Sequence, residues 1–259
     1  MGKVSAKIFD LKGKPISKIK LPTIFKTPVR KDVIKRAVIS IQSHNFQPQG
    51  RNPLAGKRTT AESMGVGYGL ARVPRLKGTQ RAAFAPSVVG GRLAHPSRSN
   101  KNIRKKIPKK EMKLALRSAI AATASKELVA ARGHEVDAVP DFPLIVVDDL
   151  QRLKKTKEVE EAFMQIGVWP DIYRVKESQK VRAGKGKRRG RKLKRAIGPL
   201  LAIAKDEGIV KAASNLPGVD VVAVNNLNAE LLAPGATPGR LTVWTSSAVE
   251  MLDKLFGGK

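Results

Sequence analysis

Two adjacent carboxylates, Asp148 and Asp149, close the apolar run Leu144-Ile145-Val146-Val147. At the carboxyl end of a buried strand, acids of this kind hold metals or move protons in α/β enzymes. With no glycine fingerprint or histidine near it in sequence, the pair reads rather as a polar strand end or a cap for the next helix. Gly65-x-Gly67-x-Gly69 suggests a nucleotide loop, but that fingerprint needs a strand before it and a helix directly after. Here Pro74 follows within a few residues. The stretch from Gly184 to Gly190 is superficially P-loop-like, yet the required Lys then Ser or Thr is replaced by Arg191-Lys192. His44, His95 and His134 show no metal-ligand spacing. No Ser/His/Asp set emerges, so the sequence points to no catalytic residue, no metal and no cofactor.

The chemistry that stands out is ionic. Residues 45–107 carry thirteen Lys and Arg against one acid, Glu62, a net +12 in a Gly- and Pro-rich stretch without sustained periodicity. The cations are Arg51, Lys57, Arg58, Arg72, Arg75, Lys77, Arg81, Arg92, Arg98, Lys101, Arg104, Lys105 and Lys106. A structureless segment of that length inside a domain is either functional or disordered. Its charge calls for a polyanion that orders it on binding. A second basic segment, 174–195, has twelve bases and one acid and includes Arg182, Lys185, Lys187, Arg188, Arg189, Arg191 and Lys192. Between them, residues 135–171 carry nine acids and four bases. Such segregation marks binding segments rather than a uniformly basic surface.

The whole chain has 259 residues, 51 Lys and Arg, 21 Asp and Glu, and a net charge of +30. With 41% apolar residues it can bury a core. It has no cysteine, which excludes disulfides and Cys-based zinc sites. No apolar run approaches the roughly 18 residues of a membrane span. No signal-peptide core appears, and Ala6 spoils a myristoylation start at Met1-Gly2. A soluble, intracellular protein is expected. Nucleic acid suits the charge better than a membrane, since no basic amphipathic helix has an aromatic apolar face. Phe46, Tyr68 and Phe84 are the only aromatics of the long insert, too few for base stacking to dominate. The charge lies in loops, which disfavours major-groove reading. Shape and phosphate recognition of folded RNA remains. Arg72, Arg75, Arg81 and Arg92 are the leading contacts, because guanidinium both forks onto phosphate and stacks on bases. His95 is a further RNA contact. Gly65, Gly67, Gly69, Gly90 and Gly91 let the backbone approach RNA closely.

Strands and helices must position these segments. Residues 4–9 are a strand. A helix starts at Thr27-Pro28, with Thr as N-cap and Pro at the first position, and runs to about His44. A single helix spans about 109–132 and stops at Gly133. Residues 144–147 form a buried parallel strand, and 157–166 a helix ending at Gly167. Strands follow at 172–175, 199–204, 219–224 and 241–244. A helix lies at 210–216, and a last one, capped by Thr245 or Ser246, runs through Phe256. The expected fold class is α/β, one domain with a mostly parallel sheet and helices on both faces. Two basic loops, 45–107 and 174–195, are inserted in it.

Taken in order, several pieces are specific as a set. They are Ala55-Gly56-Lys57-Arg58-Thr59-Thr60-Ala61-Glu62-Ser63, Gly65-Val66-Gly67, Ala71-Arg72-Val73-Pro74-Arg75 and Arg81-Ala82-Ala83-Phe84. They continue with Gly90-Gly91-Arg92, Ala94-His95-Pro96, Arg117 to Ala124, and Arg182 to Arg191. In this order and spacing the chain resembles the ribosomal protein L four family in its archaeal and eukaryotic branch, over nearly its whole length. The end at Lys259, without the long eukaryotic extension, points to the archaeal form. Met64 and Tyr68 depart from the Trp and Arg common in relatives. The resemblance implies a structural, non-enzymatic protein of the cytoplasmic ribosome, present as one copy and not a homo-oligomer. Its implied partners are large-subunit rRNA, neighbouring large-subunit proteins and the nascent peptide. The arm would reach the exit-tunnel wall with residues 72–81 nearest it. Two other readings stay open: an RNA-processing or RNA-modifying enzyme using Asp148 and Asp149, and a nucleoid-type DNA-binding protein.

Overall fold

The computed structural model describes residues 5–256; Val4, at the start of the expected first strand, lies outside them. Six strands form one sheet: β1 (Ser5–Phe9), β2 (Pro15–Lys20), β3 (Leu144–Val146), β6 (Leu200–Ile203), β7 (Asp220–Ala223) and β8 (Thr242–Thr245). The order is β2-β1-β3-β8-β6-β7. Only β1 and β2 pair antiparallel; the other four pairings are parallel. The three innermost strands after β1 explain the continuous apolar runs in the sequence: every residue of β3, β6 and β8 is buried, as expected for parallel strands covered on both faces.

Side chains alternate between two cores. On one face Ile145, Leu200, Ala202 and Trp244 pack with Ile34, Val38, Ile120 and Leu252. These come from α1 (Lys31–His44), α2 (Lys109–Thr123) and α8 (Ser246–Phe256). On the other face Leu144, Val146, Leu201 and Val243 pack with Val129, Phe163, Ile172 and Ile209. Those belong to α3 (Lys126–Ala131), α4 (Thr156–Ile166), α5 (Trp169–Glu177) and α6 (Ile209–Ser214). The period-two switch from Leu144 to Ile145 to Val146 thus fixes the register, since a one-residue slip would exchange the cores. The mostly parallel sheet with helices on both faces agrees with the sequence reading.

Three expectations are corrected. The first helix does not start at Thr27-Pro28. Thr27 ends a short 3₁₀ turn, Thr23–Lys26, in extended backbone, and α1 begins at Lys31. Ser118 of α2 decides this by donating to the Pro28 carbonyl at 3.1 Å and accepting from the Arg30 amide at 2.6 Å. A tertiary contact outweighs the local start signal. The expected single helix 109–132 is two helices, α2 and α3. Thr123 Oγ1 donates to the Ile120 carbonyl at 2.7 Å and Ser125 turns extended between them, the usual competition of Ser and Thr with helical backbone. Residues 172–175 are not a strand but lie in α5, where Ile172 and Val175 face the interior three positions apart.

The antiparallel edge β2 and the short α7 (Ala229–Leu232) were not expected. Proline and three lysines disguise the neighbourhood of β2, which suits a sheet edge that must resist pairing.

By contacts the chain divides into residues 43–105 and the remainder. Residues 45–107 contain no helix and no strand, only isolated antiparallel bridges joining Glu62 to Arg75 and Arg75 to Ala82. None of these residues is buried.

Candidate nucleic-acid interface

A segment with no buried side chain gains nothing from a core to offset the entropy of ordering, roughly 1–2 kcal/mol per residue. What organises 45–107 is hydrogen bonding between an outgoing and a returning leg. At the root, Ser43 Oγ accepts from the Lys105 amide at 2.9 Å. Further out, the Arg51 amide donates to the Ser97 carbonyl at 3.0 Å. Beyond that the legs touch at two glycines: a Cβ on Gly56 would stand 2.5 Å from the Gly91 carbonyl oxygen. At the far end Glu62 and Arg75 exchange both backbone bonds, at 3.1 and 2.9 Å. The turn that follows is closed by the Leu76 amide donating to the Arg81 carbonyl at 3.0 Å.

The sequence-derived cations of the long segment fall into three groups. Arg51, Lys57 and Arg98 line one open cleft of about 540 Å³ with Pro96, Ser97 and Asn100, and no acid faces it. Arg58, Arg72, Lys77, Arg81, His95, Lys101, Arg104, Lys105 and Lys106 are exposed along the segment. Arg75 and Arg92 are half-buried and engaged within it. Arg75 Nη1 donates to the Gln80 carbonyl at 2.9 Å, and the Arg92 guanidinium lies 5.6 Å over the Phe84 ring. Of the four leading arginines, only Arg72 and Arg81 have side chains without a partner among the described residues.

The glycines divide likewise. Gly65, Gly67, Gly69 and Gly90 adopt positive φ with open space where a Cβ would stand. Gly91 has ordinary φ, but a Cβ there would meet the Ala85 carbonyl oxygen at 2.0 Å. Close approach of the segment's own backbone is thus reason enough for Gly91.

The second basic segment opens with the last residues of α5 and continues as a two-stranded ribbon, β4 (Lys180–Val181) against β5 (Leu193–Lys194). A 3₁₀ turn, Lys185–Arg189, crosses its end between Gly184 and Gly190, both at positive φ. Lys185, Lys187, Arg188, Arg189, Arg191 and Lys192 are exposed. Arg182 is half-buried, its Nε donating to the Arg191 carbonyl at 3.0 Å. The root of the ribbon is pinned to α5. Ser178 Oγ accepts from the Ala196 amide at 2.8 Å, and Arg174 Nη2 donates to the Ile197 carbonyl at 3.0 Å.

Arg174 belongs to a buried cluster that sequence reasoning missed. The Asp171 side chain is wholly buried and receives His134 Nδ1 at 2.9 Å, Arg174 Nε at 3.0 Å and the Glu135 amide at 3.0 Å. Burial raises the Asp171 pKa, but the bonds from His134 and Arg174 outweigh it and hold the group below its ordinary range. Burial pushes His134 down despite Asp171. The imidazole is therefore neutral, with its proton on Nδ1. His134 and Asp171 stand 37 residues apart, a separation that no spacing rule covers.

The acids Asp148 and Asp149 take the structural role. Asp148 accepts from the Ser247 amide and hydroxyl, the Ser246 hydroxyl and Gln151 Nε2 at 2.7–3.0 Å. Asp149 is exposed and pairs with Arg152. No group of three or more His, Asp or Glu among the described residues is placed to hold a metal. No described helix is long and apolar enough to cross a membrane.

Residues 19–255 match the model of the Ribosomal protein L4/L1 family. The chain is 53% identical over 249 residues to the large ribosomal subunit protein uL4 of Methanosphaera stadtmanae, covering 96% of each chain. It is 51% identical to the uL4 of Archaeoglobus fulgidus, covering 96% of this chain and 98% of that one. It is 50% identical to the uL4 of Sulfurisphaera tokodaii, covering 97% and 95%. With a cationic two-legged segment, a cationic ribbon and an α/β sheet, this chain belongs to the Ribosomal protein L4/L1 family, in the branch of its archaeal members.

Proposed function

We propose that this protein is a structural component of the large ribosomal subunit that binds and organises large-subunit rRNA and performs no chemistry of its own. The observation that carries this reading is segment 45–107, net +12 and without a buried residue. Phosphate contacts offer the charge-assisted hydrogen bonds that would offset its ordering. The α/β part is the platform, the long arm threads the RNA, and the ribbon at 174–195 clamps backbone. The exposed cations of both segments and Arg182 are the contacts. The arm's far end, residues 72–81, stands at the exit-tunnel wall beside the nascent peptide, one copy per ribosome, with other large-subunit proteins as neighbours.

Co-sedimentation tests the assembly. The protein stays with the large subunit through a high-salt wash, whereas a variant with 45–107 replaced by a short linker folds as an α/β body but fails to assemble. Release of the intact protein at high salt, or unfolding of the body on deletion, would contradict the reading. The DNA-binding alternative predicts that duplex DNA displaces rRNA at equal concentration and fixed salt.

A further inference from the structure

The far end of the arm holds its one acid, and that acid has company suited to more than phosphate. Glu62 faces a cleft of about 400 Å³ lined also by Met64, Tyr68, Arg75, Lys77 and Gln80. Glu62 and Arg75 form a hydrogen-bonded antiparallel pair, so their side chains leave the same face. The Lys77 ammonium lies 3.6 Å from the Glu62 carboxylate, in a loose pair with both groups more than 70% exposed. Tyr68 sits between Gly67 and Gly69, both at positive φ in open space. Tyr68 is 63% exposed and Met64, which lines the same cleft, 44%. The lobe carrying them is closed by Ser63 Oγ donating to the Arg72 carbonyl at 3.1 Å. A carboxylate is repelled by phosphate, so a cleft that only gripped RNA backbone would have no use for Glu62.

We propose that this cleft takes one unstacked guanine of the RNA. The inference rests on the rRNA reading above and deepens it. A carboxylate accepts with two oxygens. Among the four RNA bases, only guanine offers two adjacent donors, N1–H and N2–H, on its Watson–Crick edge. Cytosine and adenine offer an amino group beside an acceptor, and uracil one N–H between two carbonyls. Beside its donors guanine carries O6, an acceptor that Lys77 can reach from its place next to Glu62. Tyr68 and Met64 supply the flat apolar contact that a base released from its stack requires. Phosphates thus fix the arm, and a single base edge fixes its register.

Kethoxal, which condenses with N1 and N2 of unpaired guanine, reads the claim directly on full-length protein bound at saturation to archaeal large-subunit rRNA. At least one guanine is protected by the wild-type protein. Its reactivity rises about tenfold with Glu62→Gln, the scale of one bidentate pairing with a base edge, and also with Tyr68→Ala. The Glu62 side chain is exposed and its backbone pair is independent of it, so Glu62→Gln leaves the arm's fold intact. Overall affinity falls by no more than that same factor of about ten, because the phosphate contacts are untouched. If rRNA binds but no guanine distinguishes wild type from Glu62→Gln, the guanine site is overturned and the ribosomal reading stands. A change instead at dimethyl-sulfate-sensitive adenine or cytosine also overturns the guanine assignment. Failure of the wild-type protein to bind rRNA would overturn both.

Discussion

Asp148 and Ser247 are 99 residues apart and doubly bonded: the Ser247 amide and hydroxyl both donate to Asp148 Oδ1, at 3.0 and 2.7 Å. The pair ties the end of β3 to the first turn of α8. Burial raises the Asp148 pKa, but the bonds from Ser247, Ser246 and Gln151 outweigh it and hold the group below its ordinary range. Gln151 extends the link, its Oε1 accepting from the Lys205 amide at 2.9 Å. A carboxylate employed in this way is a fastener between strand ends.

Asp148→Ala should therefore lower unfolding stability by about 1–2 kcal/mol, the cost of a lost cap with its hydroxyl partners. Urea melts measure it. rRNA affinity should not change. RNA turnover by the wild-type protein that disappears in this variant would reinstate the enzyme reading.

Asp171→Ala should cost more, about 3–5 kcal/mol, because Arg174 and the Glu135 amide lose a buried acceptor. The same melts decide it. A loss below about 1 kcal/mol would mean that the cluster is solvated.

His134 makes stability depend on pH near neutrality. Its folded pKa lies below its unfolded value of about 6.5. Between those two values the unfolded chain binds more protons, so stability rises with pH and is lost as pH falls below about 6.5, by at most about 1.4 kcal/mol per unit. Asp171, depressed as well, adds stability above about pH 4 that is lost in stronger acid. His134→Asn keeps a donor in the Nδ1 place and should flatten the near-neutral slope. Melts at about pH 5.5 and 7.5 compare the two proteins, and an unchanged slope in the variant would place its origin elsewhere.

Neutralising the ribbon turn with Lys185→Gln, Lys187→Gln, Arg188→Gln and Arg189→Gln together should shallow the logarithmic salt dependence of rRNA binding. Every phosphate left without its cation removes about 0.7–0.9 of slope. Filter binding across a salt series gives the number. A parallel drop in affinity with no change of slope would argue against phosphate pairing by this turn.

Gly91→Ala and Gly65→Ala separate the two uses of glycine in the arm. At Gly91 the added carbon collides with the Ala85 carbonyl, so the 84–92 turn must rearrange and rRNA affinity should fall. At Gly65 space is open and only the positive φ resists, a cost of about 1 kcal/mol. Equal affinity losses in both variants would show that the turn tolerates rearrangement.

Most of the sheet was legible because β3, β6 and β8 are buried on both faces and read as short apolar runs. The lysine-rich edge β2 was hidden because an edge must look polar. Helix boundaries at Thr27 and Ser125 were misplaced where Ser118, far away in sequence, or a local hydroxyl set the backbone. The cationic segments were plain from charge alone. Which arginines the arm keeps for itself was not: Arg75 and Arg92 are held by Gln80 and Phe84, pairings that follow from the fold of the turn. The Asp171 cluster needed coordinates, because three groups from two distant helices and their flanks meet only after packing.

Strand β8 lies between β3 and β6 although it is the last strand made. During vectorial synthesis both of its neighbours must wait, each with one edge unzipped, until the carboxyl-terminal stretch leaves the translating machinery. By then both cationic segments have long been exported. A newborn molecule thus offers both cationic segments to any passing polyanion before its sheet is closed.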